Sequence, residues 1–480
     1  MVSRARRAAL HPAPALGAAS LALAALVAPA AQAQSADADT LRQMRQELDA
    51  LRAEQAAAQA AERARAQRID ALAQQLARVS GEAVVQTPPP VEQIPAQASW
   101  PRSDEGRKFE VYGFAQADYV QDFKRVNPAW DDTLRPSRIP TNGEFGSNGQ
   151  SIISVRQSRF GVQAQQPVGG EDLYVKFEFD LFGVGVDEGQ TTFRLRHAYG
   201  SWGPLLAGQT NSLFMDGDSF PNTIDYWGPA GMVFLRNPQV RYTFKSGPHQ
   251  LAAALEKPGN DIDPGNIRTL DPELGSSIQN DEKLPDLTAQ YRYTGGWGHV
   301  QLAGIVRRVG FETLGTVDNQ PKNHKTGWGV NLTSNIKVLG KDVVHLGAVY
   351  GEGVASYMND GGTDLGPRGR LLPGGTVAGL RADTVPTLGL LAYLDHYWTD
   401  ELSTSIGWSQ HRQYNLSFQA PDAFASGQYA SINLLWAPHK RILMGGEFLW
   451  GQRKDNDGSK GDDSRLQVSF KYAFSSDDFR

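Results

Sequence analysis

Asp172-Leu173-Tyr174-Val175-Lys176-Phe177-Glu178-Phe179-Asp180-Leu181 decides the fold. Leu173, Val175, Phe177, Phe179 and Leu181 alternate with Asp172, Tyr174, Lys176, Glu178 and Asp180, so an extended chain puts the first set on an apolar face and the second on a polar one. Phe109, Val111, Gly113, Ala115, Ala117 and Tyr119 repeat the pattern against Glu110, Gln116 and Asp118. One such segment would also suit a sandwich strand, so the number of segments and their connections discriminate. Sixteen segments can be placed: 109–122, 152–165, 172–182, 191–202, 204–210, 239–246, 249–257, 286–294, 297–308, 326–338, 342–351, 385–397, 401–411, 427–437, 440–451 and 464–474. Short gaps such as Gly247-Pro248, Gly295-Gly296 and Thr399-Asp400 alternate with the long ones 123–151, 183–190, 211–238, 258–285, 309–325, 352–384, 412–426 and 452–463. A transmembrane barrel with both ends in the periplasm predicts that regularity, because tight periplasmic turns alternate with long extracellular loops. Trp202, Trp297, Tyr397, Trp398, Trp436 and Trp450 fall near strand ends, where an interfacial girdle belongs.

The composition agrees by exclusion. The chain has 480 residues, 47 basic and 52 acidic side chains, a net charge of -5, 50 Gly and no Cys. No disulfide scaffold, thiolate zinc site or cysteine nucleophile is available. The charge balance argues against a nucleic-acid partner. Residues 1–33 read as a signal peptide: Arg4, Arg6 and Arg7 precede an apolar run from Ala15 to Ala28, and Ala31-Gln32-Ala33 supplies small residues at a cleavage position. Removing it leaves 44 basic and 52 acidic residues, a charge of -8. No later stretch has the ~18 consecutive apolar residues of a spanning helix, so a membrane location means a barrel.

Residues 37–80 change period. Leu41, Met44, Leu48, Leu51, Ala58, Ile69, Leu72, Leu76 and Val79 hold a heptad register across a polar middle of Gln55, Glu62 and Arg65. Eight of the twelve seam positions carry Leu, Ile, Val or Met, which favours a periplasmic α-helical coiled coil over a solvated helix. Residues 81–106, with Pro88-Pro89-Pro90, read as an extended tether, and 107–480 as the barrel.

With these segments the chain resembles the DcaP-like trimeric porins of Gram-negative outer membranes. The resemblance is carried by the signal peptide, coiled coil and tether, and by Tyr112-Gly113-Phe114 in the first strand. Arg156-Gln157-Ser158-Arg159-Phe160-Gly161, Phe193-Arg194-Leu195-Arg196-His197-Ala198-Tyr199 and Ala207-Gly208-Gln209-Thr210 add to it. It implies a sixteen-stranded barrel, a homotrimer joined by periplasmic coiled coils, and a preference for small anionic solutes such as dicarboxylates. One departure is the end of the chain: such barrels commonly finish on an aromatic residue, whereas six residues follow Phe474.

Alternation assigns the lumen. With the apolar partners facing lipid or a neighbouring subunit, Arg159, Lys176, Arg194, Arg196, Arg241, Lys245, Arg292 and Arg307 point inward, against the acids Asp118, Glu178, Asp180 and Glu447. Part of the basic set must pair with those acids, and the surplus is expected to favour anions. The loop 211–238 follows the fifth strand, where porins narrow the barrel. It carries Asp216, Asp218, Asp225 and Arg236 among Phe214, Phe220, Tyr226, Trp227 and Phe234. Acids facing the Arg-rich wall would set up a transverse field; Arg236 inward with the acids paired away would suit an anion pathway. If the solute is an acid, paired Arg donors would hold its carboxylates and the aromatic loop its apolar body.

Other motifs are weak. Ser334-Asn335-Ile336-Lys337 has Ser-x-x-Lys spacing but falls on a predicted strand, and Asp455-Asn456-Asp457-Gly458 lacks the spacing and bidentate Glu of a calcium loop. No metal, cofactor or enzymatic site is expected. The reading is an outer-membrane porin for passive diffusion of small anionic solutes, probed against two alternatives: a general diffusion porin, and a structural barrel that fixes a periplasmic coiled coil to outer-membrane lipid.

Overall fold

The computed structural model describes residues 106–373 and 376–479; the expected signal peptide, the helix over 37–80 and the tether up to residue 105 lie outside them. Sixteen antiparallel strands close a barrel. They are β1 (Lys108–Asp122), β2 (Gln150–Ser154 continued by Arg159–Val168), β3 (Glu171–Phe182), β4 (Thr191–Trp202), β5 (Leu205–Asn211) and β6 (Arg236–Ser246). Then come β7 (His249–Glu256), β8 (Asp286–Gly295), β9 (Gly298–Thr313), β10 (Asn323–Lys337) and β11 (Val343–Glu352). The ring ends with β12 (Pro386–Tyr397), β13 (Leu402–Gln413), β14 (Phe424–His439), β15 (Ile442–Asp455) and β16 (Lys460–Ser475). Each strand pairs with its neighbours in sequence, and β1 pairs with β16 from Tyr112–Ser475 to Asp122–Arg465, so no edge is left open. Closure is what a bilayer demands, since hydrocarbon offers no partner to an unpaired N–H or C=O.

The side chains distribute inside out compared with a soluble domain. Leu302, Val330, Leu332, Ile432 and Leu434 are half exposed, whereas the alternating Gln301, Asn331, Thr333, Ser431 and Asn433 are buried. The exposed set is the lipid band and the buried set the barrel interior. The tight turn from β2 to β3 is Gly169-Gly170, with φ of +61° and +87°, the left-handed pair that a two-residue hairpin of matching twist requires.

Two departures from simple alternation shape the interior. The second strand, expected as one run over 152–165, is broken: 155–158 leave the ladder, Arg156 pairs with Asp132, and Gln157 donates to the Ile224 carbonyl at 3.1 Å. In β4 a bulge opposite Glu178 and Phe179 turns both Arg196 and His197 inward. The long loops all leave from one end, and those at 123–149, 212–235 and 353–385 fill part of the interior. Leu134, Ile139 and Met232 pack with Leu391, Tyr393 and Tyr429, and Phe214, Val233 and Met358 pack with Ile305 and Val349. This apolar packing lies against β9, β11, β12 and β14.

Candidate functional site

A cavity of about 460 Å³ opens between β1–β6 and β14–β16 on one side and the loop 212–235 on the other. Glu178 is its electrostatic centre. Arg196 Nε lies 2.7 Å from Glu178 Oε1, Lys176 Nζ 3.2 Å from Oε2, and Arg159 Nε 3.5 Å from Oε1. Tyr112, whose ring packs where a Cβ on Gly161 would sit, donates its hydroxyl to Glu178 Oε2 at 2.8 Å. One carboxylate thus faces three cations. Asp180 is forked by Arg194 at 2.7 and 3.0 Å, touched by Arg196 at 3.0 Å, and accepts the Tyr226 hydroxyl at 2.7 Å.

Two further cations line the cavity without an acid beside them among the described residues. Lys471 on β16 sits 4.0 Å over the Phe114 ring, and Arg236 lies over Phe234 at 4.8 Å. Arg159 Nε and Arg236 Nη1 are buried donors with no hydrogen-bond acceptor among the described residues. Facing this basic wall are Phe220, Ile224, Trp227, Met232 and Phe234. The cavity is amphipathic, with cations on one side and rings and aliphatic groups on the other.

The loop's acids are turned away. Asp216 is buried and is held by Thr333 Oγ1 at 2.6 Å, His299 Nε2 at 2.7 Å and Arg292 Nη1 at 3.3 Å. Asp218 pairs with Arg292 at 2.5 Å. Asp225 accepts the backbone N–H groups of Leu134 and Gly228, both at 3.0 Å, and its burial pushes the carboxyl up to about 6. Glu447, wholly buried on β15, accepts the N–H groups of Ile224 at 2.9 Å and Asp225 at 3.1 Å together with Asn433 Nδ2 at 2.8 Å. Asn331 and Gln301 donate to the carbonyls of Phe214 at 2.8 Å and Met215 at 3.1 Å. The loop is pinned to the barrel at several points and crosses back to the basic wall through Tyr226.

Glu447→Ala is expected to leave three buried donors unpaired, at about 1–3 kcal/mol each, and so to free the middle of the loop. Single-channel recording should then show a larger and noisier open current; an unchanged trace would mean that Tyr226 and Asp216 suffice to hold it.

The sequence-selected residues divide. Arg159, Lys176 and Arg196 meet at the cavity, with Arg194 behind them on Asp180. Arg241 and the exposed Lys245 lie in a second depression, toward the short-turn end, and Arg241 donates to Gln239 at 3.0 Å and to the Asn211 carbonyl. Arg292 serves the loop acids. Arg307 lies apart from the cavity: its side chain is 1% exposed, bound to Asp286 at 3.1 Å and Asp364 at 3.5 Å, where the loop 353–385 folds over it. Asp216 and Asp225 likewise act as fastenings of the loop. Lys471, His197 and Tyr112 were not singled out from sequence; Lys471 was within reach, since it alternates with Phe470 and Tyr472, whereas His197 required the bulge.

The family model described as DcaP outer membrane protein matches residues 91–474. Among solved structures, the chain is similar to the outer membrane channel DcaP of Acinetobacter baumannii, at 23% identity over 78% of this chain and 99% of that one, with a TM-score of 0.64. It is more distantly similar to an anion-selective porin from Comamonas acidovorans, at 10% identity over 77% and 100% of the two chains, TM-score 0.49. The loop-deleted OmpT of Vibrio cholerae gives 12% identity over 77% and 99%, TM-score 0.47. Comparison with curated proteins finds no match.

Proposed function

This chain belongs to the DcaP outer membrane protein family, a family of outer-membrane channels, and from that premise we propose that it is a passive, anion-preferring porin for small organic acids, dicarboxylates among them. The observation that carries this reading is the imbalance at the cavity. Arg159, Lys176, Arg196, Arg236 and Lys471 line it with only two carboxylates, Glu178 and Asp225, and Asp225 is held by the backbone N–H groups of Leu134 and Gly228 while Asp216 and Asp218 are bonded elsewhere. A solute carboxylate entering there meets this excess of positive charge, and its hydrocarbon part meets Phe220 and Phe234. A unit charge ~4 Å from another gains about 4 kcal/mol at an effective dielectric constant near 20. That matches the roughly -4 kcal/mol of a millimolar dissociation constant, so solutes are concentrated but released. The heptad pattern of residues 37–80 and the family resemblance support a homotrimer whose coiled coils stand in the periplasm.

In a planar bilayer under a chloride-salt gradient, the purified protein should give a reversal potential of anion-selective sign, and millimolar dicarboxylate should reduce the chloride current. Cation selectivity would overturn the proposal. Absence of any conductance would instead favour a barrel that serves only to fix the coiled coil.

A further inference from the structure

The outer surface of β13–β16 is graded along the strands in four registered rows. Ile406, Ile432, Phe448 and Leu466 are cross-strand neighbours, each between 42% and 46% exposed, and form part of the lipid band. Two residues further toward the long loops the row reads Trp408, Ala430, Trp450, Ser464. The next reads Gln410, Gln428, Gln452, Asp462, and the last Arg412, Ser426, Lys454, Lys460. Hydrocarbon-facing groups give way to interfacial indoles, then to amides, then to cations.

From the indole row to the cationic row is four residues, about 14 Å along a strand and about 10 Å along the membrane normal at a tilt near 45°. That is the depth of a head-group layer. Arg412, Lys454 and Lys460 are exposed, and no ion pair is made by any of them among the described residues; Arg412 lies 4.7 Å over Tyr414, and Asp462 is taken by Lys124 at 2.8 Å. On β9, by contrast, Arg308 stands two residues beyond the lipid-exposed Val306 and is neutralised by Asp281 at 2.8 Å. Lys454 and Lys460 face each other across the β15–β16 pair, an arrangement of like charges that costs stability unless an anion lies between them.

We propose that this face is a binding site for a phosphorylated glycolipid of the outer leaflet: the apolar row packs against its acyl chains, the Gln row hydrogen-bonds its sugars, and Arg412, Lys454 and Lys460 hold its phosphates. Charge complementarity selects the occupant, and continuity with the lipid band fixes its orientation. The site rests on the outer-membrane placement of the barrel with its long loops outward and is independent of what passes through the pore.

The test compares binding of bisphosphorylated and dephosphorylated lipid A, added in mild detergent, to the full-length protein by native mass spectrometry. The wild type should bind the bisphosphorylated form about tenfold more tightly, and the R412S/K454S/K460S variant should lose that preference. The charge-conserving R412K/K454R/K460R variant should keep it, and all three proteins should show the same single-channel conductance. Equal binding of the two lipids by the wild type, or an undiminished preference in the serine variant, would overturn the proposal. So would dissociation of the oligomer in the serine variant, which would make this face a contact with a second copy. A serine variant that fails to fold leaves the decision to the wild-type lipid comparison.

Discussion

Replacement of Arg159, Lys176 and Lys471 together by glutamine is expected to weaken anion preference sharply. The three cations line a cavity that also holds Glu178, so their removal leaves that carboxylate with only Arg196 and Arg236 of the five lining cations. A charge ~6 Å from a permeating ion contributes about 0.7 kcal/mol even at the dielectric constant of water, roughly a threefold change in local ion concentration. Three such changes multiply to about thirtyfold, and screening at ~0.1 M salt reduces this to about tenfold in the anion-to-cation permeability ratio. The measurement is the reversal potential of single channels in a dilute KCl gradient. A reversal potential equal to the wild type's would remove the basic wall from the account of selectivity. Lys471→Glu alone should shift the potential in the same direction by placing an acid beside Phe114.

The second large effect falls on the seam. Arg465 on β16 is completely buried and forks Asp122 on β1 at 2.6 and 2.9 Å, with a third bond of 3.0 Å to the Asp131 carbonyl. Arg465→Ala would leave the Asp122 carboxylate buried and unpaired, at a cost of about 3–5 kcal/mol. The loss should appear as a fall in the urea midpoint for the folded-to-unfolded mobility change on gels without boiling. Arg465→Lys should recover part of it, since one ammonium reaches only part of what the guanidinium fork spans. An alanine variant with the wild-type midpoint would mean that water replaces the guanidinium at the seam.

The barrel was legible because its signal is repetitive and local. Leu173 to Leu181 and Leu466 to Phe474 alternate without interruption, and both are regular strands in which the polar partners face inward. What escaped was set by interruptions to that period and by distant contacts. His197 should face outward by counting from Leu195, and the bulge beside Glu178 reverses it. Arg307 obeys the alternation and still misses the channel, because Asp364, 57 residues away, brings a loop down over it. Alternation gives the face of a side chain but not its partners. For the loop 211–238, both geometries open to the sequence used the same residues, and only the positions of Thr333, His299 and Glu447 distinguish them.

The cavity also has a temporal side. Phe114 and Lys471, stacked at 4.0 Å, belong to the first and last strands, which meet only when the ring closes. Arg159 and Lys176 come from β2 and β3, early in the chain, whereas the acid that fastens the middle of the opposing loop, Glu447, comes from β15. The basic wall and the loop opposite it are therefore assembled from both ends of the polypeptide, and the wall is complete only when β16 joins β1. A barrel stalled before closure would lack Lys471 beside Phe114 as well as the seam, so an open sheet carries neither the full basic wall nor a closed pore.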